Sequence, residues 1–480
     1  MNPRSNFLPG IAILIATAGP LAAGAQDWPQ WRGAQRDGRA TEFTAPKAWP
    51  KELTKKWTVT VGEGVATPAL VGDHLYVFSR QDGSEVTRCL AATDGKELWA
   101  DKYESLGATG PAQGFSGPRS SPAVAQGKVV TLGVRGMLSA LDAATGKVLW
   151  RKDDFKAYPI FHPSSSPLIV DGLAVAQLGG RDNGALVAYD LTSGAEKWKW
   201  NGPSPSYASP ALVTVGSTRL ILAQTESKLV AVKAADGSLA WESEAAPQGG
   251  GPGGPGGGGR GMGGGRDYRA ATPIVDGQIV IMAGRGVKAV KLENDGDKIV
   301  AKELWNNPDT SVQFNTPTLK GGMLYGLSAA NELFCLNASD GKVAWTAPYP
   351  GAPATGAGGP PRAAVTPPLL LGPAATVFGQ ADPNRPGGQR GPGGPGGPGG
   401  GRRGGGMGGG SGFGSLVDAG PVMMALTPTG QLVVFEPGRT ELKQVATYKV
   451  SDSQTHAYPV PSGNRIFIKD AQAVTLWTVE

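Results

Sequence analysis

The chain has 480 residues, including 75 glycines, 40 prolines and 12 tryptophans, and a formal net charge of +6. That length accommodates two or three ordinary domains or one large all-β unit, and the excess of glycine and proline indicates many turns or irregular segments. Six positive charges lie in the leader or in glycine-rich runs, at Arg4, Arg260, Arg266, Arg390, Arg402 and Arg403. The remaining body is close to neutral, so we expect no nucleic-acid partner.

The first 25 residues have the pattern of an export signal. Arg4 precedes a short apolar run at 8–18, and the small residues at 23–25 fit a cleavage site. We expect cleavage near Ala25 and a periplasmic or extracellular protein; an uncleaved membrane anchor is the alternative, although the run is short for a membrane span. No other apolar run approaches spanning length, so no transmembrane span is predicted.

An 11-residue phrase recurs along the chain. ALDAATGKVLW at 140–150 returns in the same frame at 89–99, 188–198, 231–241 and 335–345. The phrase ends on tryptophans that we expect to dock on a neighbouring sheet, namely Trp99, Trp150, Trp198, Trp241, Trp305 and Trp345. A second landmark, a small residue before proline, opens an apolar run at Thr67, Ser121, Ser166, Ser209, Thr272 and Thr316. The spacing between landmarks is typical of four short strands per unit.

Each repeat encodes a hairpin. In the phrase at 140–150, Asp142 can accept hydrogen bonds from the turn amides, and Gly146 can adopt the positive φ that the turn requires. Trp150 then lies on the fourth strand. These residues specify the hairpin and the docking contact, and no catalytic role is assigned to them.

The repeats predict an all-β fold, an eight-bladed β-propeller, with seven blades as the second choice. Six units carry both landmarks, 415–450 forms a seventh without tryptophan, and the N-terminal strand near Trp57 joins the C-terminal strands to close the eighth. We divide the chain into a signal peptide at 1–25, an extension at 26–50 and a propeller at 51–480. Glycine-rich inserts at 248–266 and 351–414 interrupt the propeller, and we expect them to be disordered.

The two cysteines are expected to be free. Cys89 and Cys335 occupy the same position of two distant repeats, where other repeats have Ala140, Ala188 or Ala231. A position that accepts alanine or cysteine is small and buried. A disulfide in an oxidising compartment is the alternative.

The repeat frame resembles the tryptophan-docking repeat of the pyrroloquinoline-quinone (PQQ) propellers, over nearly all of the chain outside the inserts. The opening DWPQWRGAQRDGRA and the closing RIFIKDAQAVTLWTVE resemble exported bacterial PQQ-binding-like repeat proteins. The ring is also similar to the outer-membrane assembly factor B scaffold, which binds protein partners rather than PQQ. That scaffold is lipid-anchored, and this chain has no cysteine near the cleavage site. The resemblance implies the propeller fold and leaves the cofactor open.

Candidate ligand-binding residues precede the small-residue landmarks, because the functional groups of a propeller gather where loops enter the innermost strands. They are Glu63, Arg119, His162, Tyr207, Tyr268, Arg269, Asn315 and His456. Their arginines suit an anionic or polar ligand, since a guanidinium binds carboxylates in a bidentate manner. The alternative is a solvated mouth whose polar groups bond to one another.

We assign no catalytic residue and no metal ligand. The resemblance to the large PQQ alcohol dehydrogenases implies adjacent paired cysteines, an aspartate base and a Ca²⁺ held by Glu, Asn and Asp. Cys89 and Cys335 do not form such a pair, and no spacing singles out Glu63, Asn315 and Asp418 as Ca²⁺ ligands. Two cysteines and three histidines show no zinc spacing, and His74 lies in a hairpin turn that we expect to be exposed.

The segment DWPQWRG places Trp28 and Trp31 close to the predicted mature N-terminus. We expect it to pack on the propeller as a plug over one channel mouth; an exposed anchor for a partner is the other interpretation.

The sequence favours a monomeric, non-catalytic binding or scaffold protein of the cell envelope, with no cofactor assigned. Its expected partner is an envelope protein or a polysaccharide. The alternative is a PQQ- and Ca²⁺-dependent dehydrogenase that acts on alcohols or sugars through the mouth residues.

Overall fold

The computed structural model describes residues 27–40, 42–243, 269–349 and 413–480. The predicted signal peptide at 1–25, the insert at 248–266 and all but Phe413 and Gly414 of the insert at 351–414 lie outside these ranges. Among the described residues, the helical segment is a single 3₁₀ turn at Gly110–Ala112. No helix in this part of the chain is long and apolar enough to cross a bilayer.

The described strands form eight four-stranded antiparallel sheets, which are the blades. Strand β1 (Thr54–Thr60) precedes blade 1, which contains β2 (Ala69–Val71), β3 (His74–Gln81), β4 (Ser84–Ala91) and β5 (Glu97–Glu104). Blade 2 contains β6 (Ala123–Ala125), β7 (Lys128–Leu132), β8 (Leu138–Asp142) and β9 (Val148–Lys152). Blade 3 contains β10 (Leu168–Val170), β11 (Leu173–Leu178), β12 (Gly184–Asp190) and β13 (Glu196–Gly202). Blade 4 contains β14 (Ala211–Val215), β15 (Thr218–Gln224), β16 (Leu229–Lys233) and β17 (Leu239–Glu242).

The second half of the ring repeats this arrangement. Blade 5 contains β18 (Ile274–Asp276), β19 (Ile279–Ala283), β20 (Val287–Asp295) and β21 (Lys298–Asn307). Blade 6 contains β22 (Thr318–Lys320), β23 (Met323–Leu327), β24 (Glu332–Asn337) and β25 (Val343–Pro348). Blade 7 contains β26 (Ser415–Ala419), β27 (Val422–Leu426), β28 (Gln431–Glu436) and β29 (Lys443–Lys449). Blade 8 contains β30 (Val460–Ser462), β31 (Arg465–Lys469), β32 (Ala473–Thr478) and, as its outer strand, β1.

The two ends of the chain close the ring in blade 8. Strand β1 pairs antiparallel with β32, with Trp57 opposite Leu476 and Val59 opposite Val474. The Oγ1 atoms of Thr58 and Thr475 are 3.1 Å apart across this pair. The prediction of an eight-bladed propeller closed by its N- and C-terminal strands is therefore confirmed.

Tryptophan side chains join each blade to the next. The indole Nε1 of Trp99 donates to the Ala143 carbonyl oxygen at 3.1 Å, and its ring lies against Gly146 in the turn of blade 2. Equivalent bonds of 2.8 to 3.3 Å run to the following blade from Trp57, Trp150, Trp198, Trp305 and Trp345. Trp241 packs against the core shared by blades 4 and 5. Trp57 was missing from the predicted set, because it does not lie in a copy of the repeated phrase.

Blade 7 carries Tyr448 at the docking position. No hairpin joins β32 to β1, so the following blade offers no turn for an aromatic residue to cover. The Tyr448 hydroxyl instead donates to the Pro50 carbonyl oxygen at 2.7 Å, and its ring lies 6.2 Å from that of Trp49. The chain just before β1 thus takes the place of the missing turn.

A relay of hydrogen bonds explains the small hydroxyl residue at each landmark. The backbone N–H of each landmark donates to the landmark side chain of the following blade, for example Thr67 to Ser121 Oγ and Ser121 to Ser166 Oγ, both at 3.0 Å. The relay continues through Ser166, Ser209 and Thr272 to Thr316, and it begins at the N–H of Tyr458, which donates to Thr67. These buried side chains tie the innermost strands together, so their role is structural.

The N-terminal segment at 27–44 fills the channel from one end. Trp28 is 1% exposed, and its backbone pairs with Leu70 of β2 in both directions. Further bonds reach every blade except blade 4, through Val124, Ser166, Thr272, Thr316, Asp418 and Gly463. A short segment that bonds to residues in or beside the inner strands of seven blades lies across the middle of the ring. The structure therefore agrees with a plug rather than an exposed anchor.

Arg32 is the centre of this plug. Its side chain is 1% exposed, and its guanidinium donates to the carbonyl oxygens of Thr316 and Pro317 and to the Tyr458 hydroxyl at 2.8 to 2.9 Å. Burial of a guanidinium is tolerated when its donors are satisfied in this way. The sequence analysis did not identify this residue.

Both cysteines are free and buried, as predicted. Cys89 lies opposite Trp99 in β4–β5, and Cys335 lies opposite Trp345 in β24–β25. Burial raises the pKa of the Cys89 thiol to about 12 and that of Cys335 to about 11. Neither thiol is activated, so both act as small core residues.

Replacing Gly146 by alanine tests the docking contact. Gly146 has a φ of 72°, and a Cβ there would lie 2.5 Å from the Trp99 ring. We expect Gly146→Ala to lower the free energy of unfolding by about 3 kcal/mol, through backbone strain and overpacking together. Gly172 has a φ of 74° and nothing within 4 Å of an added Cβ, so Gly172→Ala should cost only the backbone part, about 1 to 2 kcal/mol. Urea unfolding followed by tryptophan fluorescence measures both, and equal losses would contradict the docking argument.

Candidate functional site

The predicted mouth residues lie on the loops between blades, at the end of the ring opposite the turns that the N-terminal segment enters. We call this end the loop end; it carries connections such as 105–122 and 153–167. Glu63, Arg119, His162, Tyr207, Arg269, Asn315 and His456 each come from a different connection. Tyr268 lies outside the described residues. The structure thus brings seven of the eight predicted residues to one end of the ring, where several have structural partners.

His162 ties two neighbouring loops together. Its Nε2 accepts a hydrogen bond from the Thr109 backbone N–H at 3.0 Å, so its Nδ1 carries the proton and donates to the Val134 carbonyl oxygen at 2.9 Å. Burial lowers the pKa of His162, and the cations Arg135 and Arg119 lower it further. His162 is 5% exposed, and its backbone has a φ of 64°. A neutral imidazole with both nitrogens bonded has a positioning role.

The oxygen ligands considered for Ca²⁺ lie apart and have other partners. The Glu63 carboxylate accepts from the Ser116 hydroxyl, whereas Asn315 bonds to the backbone of Leu327. Asp418 accepts from Lys320 at 2.5 Å and lies 3.8 Å from the Arg39 guanidinium of the N-terminal segment. No group of three or more His, Cys, Asp or Glu side chains in the described ranges is placed to hold a metal ion. These residues therefore do not fit a Ca²⁺ site.

Aromatic rings form a collar at the loop end, in which the predicted residues His456 and Tyr207 contact phenylalanines that were not among the candidates. His456 lies 5.1 Å from Phe115 and 5.0 Å from Phe413, and Phe413 stacks on Phe314 at 4.3 Å. Farther around the ring, Phe161 contacts Tyr207 edge-on, with 5.8 Å between their centroids. The signal was present in the sequence, since each aromatic residue precedes a first strand by a few positions. It was overlooked because polar residues alone were considered as candidates.

His456 is buried in this collar without hydrogen bonds. Neither ring nitrogen has a partner among the residues that the structure describes, and both are inaccessible to solvent. Burial lowers the pKa of His456 to about 4. A neutral imidazole in an aromatic setting is a poor general acid at neutral pH, so its placement does not suggest proton transfer.

Arg119 is the cation of the mouth. Its Nη2 donates to the carbonyl oxygens of Ala112 and Phe115 at 3.1 and 2.8 Å. Its Nη1, like the Oγ of the adjacent Ser120, is buried without a partner in the described chain. Burial lowers the pKa of Arg119 to about 10. The guanidinium therefore stays charged at neutral pH.

The sequence matches a family whose description is "Outer membrane protein assembly factor BamB", over residues 82–347. A BamB of Xanthomonas campestris pv. campestris is 29% identical over 281 residues, which are 54% of this chain and 60% of that protein. A 1-butanol dehydrogenase (cytochrome c) of Thauera butanivorans is 30% identical over 209 residues, which are 40% of this chain and 29% of that protein. The matches span less than two thirds of the length of these relatives.

Solved structures share the fold at low sequence identity. The crystal structure of BamB from Moraxella catarrhalis superposes with a TM-score of 0.52 at 14% identity, covering 89% of this chain and 99% of that one. The quinohemoprotein alcohol dehydrogenase from Comamonas testosteroni superposes with a TM-score of 0.60 at 14% identity, covering 95% of this chain and 81% of that one. At such identity the likeness concerns the propeller alone.

Removing His456 should change the response of the protein to acid. Because the pKa is about 4 in the folded state and about 6.5 in the unfolded chain, the unfolded state takes up the proton first. Stability is therefore lost as the pH falls from about 6.5 to about 4, by up to about 3 kcal/mol. His456→Phe and His456→Gln should both reduce this loss. Unfolding by urea at several pH values measures it, and variants with the acid dependence of the wild type would contradict the argument.

Proposed function

The chain belongs to the outer membrane protein assembly factor BamB family, and we propose that it is an exported, non-catalytic scaffold that binds a protein partner in the cell envelope. The Xanthomonas relative carries the same family name and matches over more than half of this chain. Because that match is partial, location and partner are parts of the proposal.

One observation carries the proposal: the side chains that chemistry would need are engaged in structural bonds. Glu63, Asn315 and Asp418 bond to separate parts of the fold, and both imidazoles at the loop end are buried and neutral. A scaffold requires only a rigid ring and surface loops, which the relay and the docking tryptophans supply.

A PQQ- and Ca²⁺-dependent dehydrogenase that acts on alcohols or sugars is the second candidate. It is favoured by the relatives named as dehydrogenases, including two quinohemoprotein alcohol dehydrogenases. In this chain, Arg119 is the described residue most suited to a carboxylate of the quinone, because its Nη1 is free of protein partners. The other partners of Glu63, Asn315 and Asp418 in the described part of the chain count against a shared Ca²⁺ site.

Titration with PQQ and Ca²⁺ separates the two candidates. We expect the purified full chain to retain no quinone absorbance after gel filtration and to reduce no dye with alcohols or sugars. A quinohemoprotein alcohol dehydrogenase treated in the same way serves as the positive control. Bound quinone at one equivalent together with substrate-dependent dye reduction would contradict the scaffold proposal, and loss of both in Arg119→Ala would place the quinone at the loop end.

Cross-linking in intact envelopes tests the binding proposal itself. We expect the wild-type chain to be recovered with proteins of outer-membrane assembly, in amounts that do not change when polysaccharide is digested beforehand. Recovery that depends on polysaccharide would replace the protein partner by a glycan, and recovery without any such protein would contradict the proposal.

A further inference from the structure

Two large apolar side chains stand out at the loop end. Leu106 is 83% exposed and Ile160 is 57% exposed, more than any other large apolar residue in the described ranges. They lie on consecutive connections, from blade 1 to blade 2 and from blade 2 to blade 3. Other exposed apolar residues lie on outer strands around the rim, at Leu98, Leu149, Leu239, Val300, Leu304, Val343 and Val445.

These two connections form one rigid platform. His162, two residues after Ile160, accepts from the Thr109 N–H, three residues after Leu106. Phe161 packs against the small cluster that Ala108 and Val134 form beneath. The loops are therefore held together by a partly buried hydrogen bond and an apolar contact, whereas the side chains of Leu106 and Ile160 are exposed to solvent.

Arg135 joins the two parts of the platform. Its Nε donates to the carbonyl oxygen of Gly107 at 3.0 Å, next to Leu106, and its guanidinium lies 6.0 Å from the centre of the Tyr158 ring, close to Ile160. It forms no ion pair with any carboxylate of the described chain. The platform thus presents a cation between two apolar groups.

Neighbouring carboxylates are already engaged. Glu85 is fully buried and accepts from the Tyr103 hydroxyl and from the Val134 N–H. Asp153 pairs with Lys156, and Asp154 accepts from the Tyr189 hydroxyl at 3.1 Å. Glu85 interacts with the charge of Arg135 from the buried side, but Arg135 forms no ion pair with any of these three carboxylates. An external carboxylate can therefore pair with its guanidinium.

We propose that Leu106, Arg135, Tyr158 and Ile160 form a docking surface for an extended segment of a partner protein that carries an acidic residue between two large apolar side chains. The inference rests on the proposed scaffold function and names the chemistry of its partner. Arginine and tyrosine are over-represented among the residues that dominate binding energy. The acidic residue would pair with the guanidinium, and the apolar residues would cover the exposed aliphatic side chains.

Fluorescent synthetic peptides test this surface on the full chain. One probe contains the repeated unit Leu-Glu-Leu, and its matched control has lysine in place of each glutamate. We expect anisotropy to show binding of the acidic probe and no measurable binding of the basic one up to about 1 mM. We expect the affinity for the acidic probe to fall by about tenfold in each of Leu106→Ser, Ile160→Ser and Arg135→Gln. The affinity should be unchanged in the rim variants Leu149→Ser and Leu239→Ser.

The variants are chosen so that loss of folding does not imitate loss of binding. Leu106 and Ile160 are exposed, and a glutamine at 135 keeps an N–H donor for Gly107; thermal unfolding checks each variant. The inference would be overturned by equal affinity for both probes or by no binding of the acidic probe. It would also be overturned if the variants of the docking surface bind the acidic probe as tightly as the wild type.

The oligomeric state provides a second readout. Sedimentation velocity should show a monomer for the wild type and for Leu106→Ser. A wild-type dimer that this substitution dissociates would make a second copy of the chain the occupant and overturn the partner chemistry proposed here. Failure of the docking surface can be distinguished from failure of the scaffold proposal. A chain that cross-links to envelope proteins but does not bind the peptides contradicts only the docking surface, whereas PQQ-dependent turnover contradicts the scaffold function.

Discussion

The antiparallel pairing of β1 with β32 is the interaction on which the ring depends. Most contacts of a blade are local hairpins, which form within 40 to 50 residues of sequence, but this pair joins Trp57 to Leu476 across the whole chain. It supplies the fourth strand of blade 8 and removes the open edges that a linear stack of sheets would leave. It also brings Tyr458 beside Thr67, where the hydroxyl relay passes from blade 8 to blade 1.

Closure also determines where the N-terminal segment lies. Residues that directly precede β1 pass beside Tyr448 of blade 7. Residues before them enter the channel, where the Arg32 guanidinium donates hydrogen bonds to protein carbonyl oxygens instead of to water. The channel is therefore part of the core at that end. A ligand that enters the channel has to approach from the loop end, because the described N-terminal segment occupies the opposite mouth.

The loop end combines structural and interacting groups in a small area. His162 and Phe161 hold neighbouring connections in place, and His456 joins Phe115 and Phe413 from two other connections. Loops on a rigid scaffold are where binding residues usually lie. The connections at 105–122 and 153–167, which His162 joins, carry the two most exposed large apolar side chains of the described residues, Leu106 and Ile160. That combination suits the recognition of a partner more than the enclosure of a small molecule.

The sequence by itself determined the fold, the number of blades and the burial of both cysteines. Each repeat contains the residues for its turn, its docking tryptophan and its first strand within about 45 residues. It also predicted eight candidate residues at one end, since they share a position relative to the first strands, and the seven that the structure describes lie on separate connections at that end. Only the tertiary structure decided their roles. His162 holds neighbouring loops together and Asn315 bonds to the backbone of its own blade. Asp418, considered only as a Ca²⁺ ligand, pairs with Arg39 of the N-terminal segment. Pairing between residues so distant in the chain follows from how the blades are arranged around the channel, and no local pattern records it.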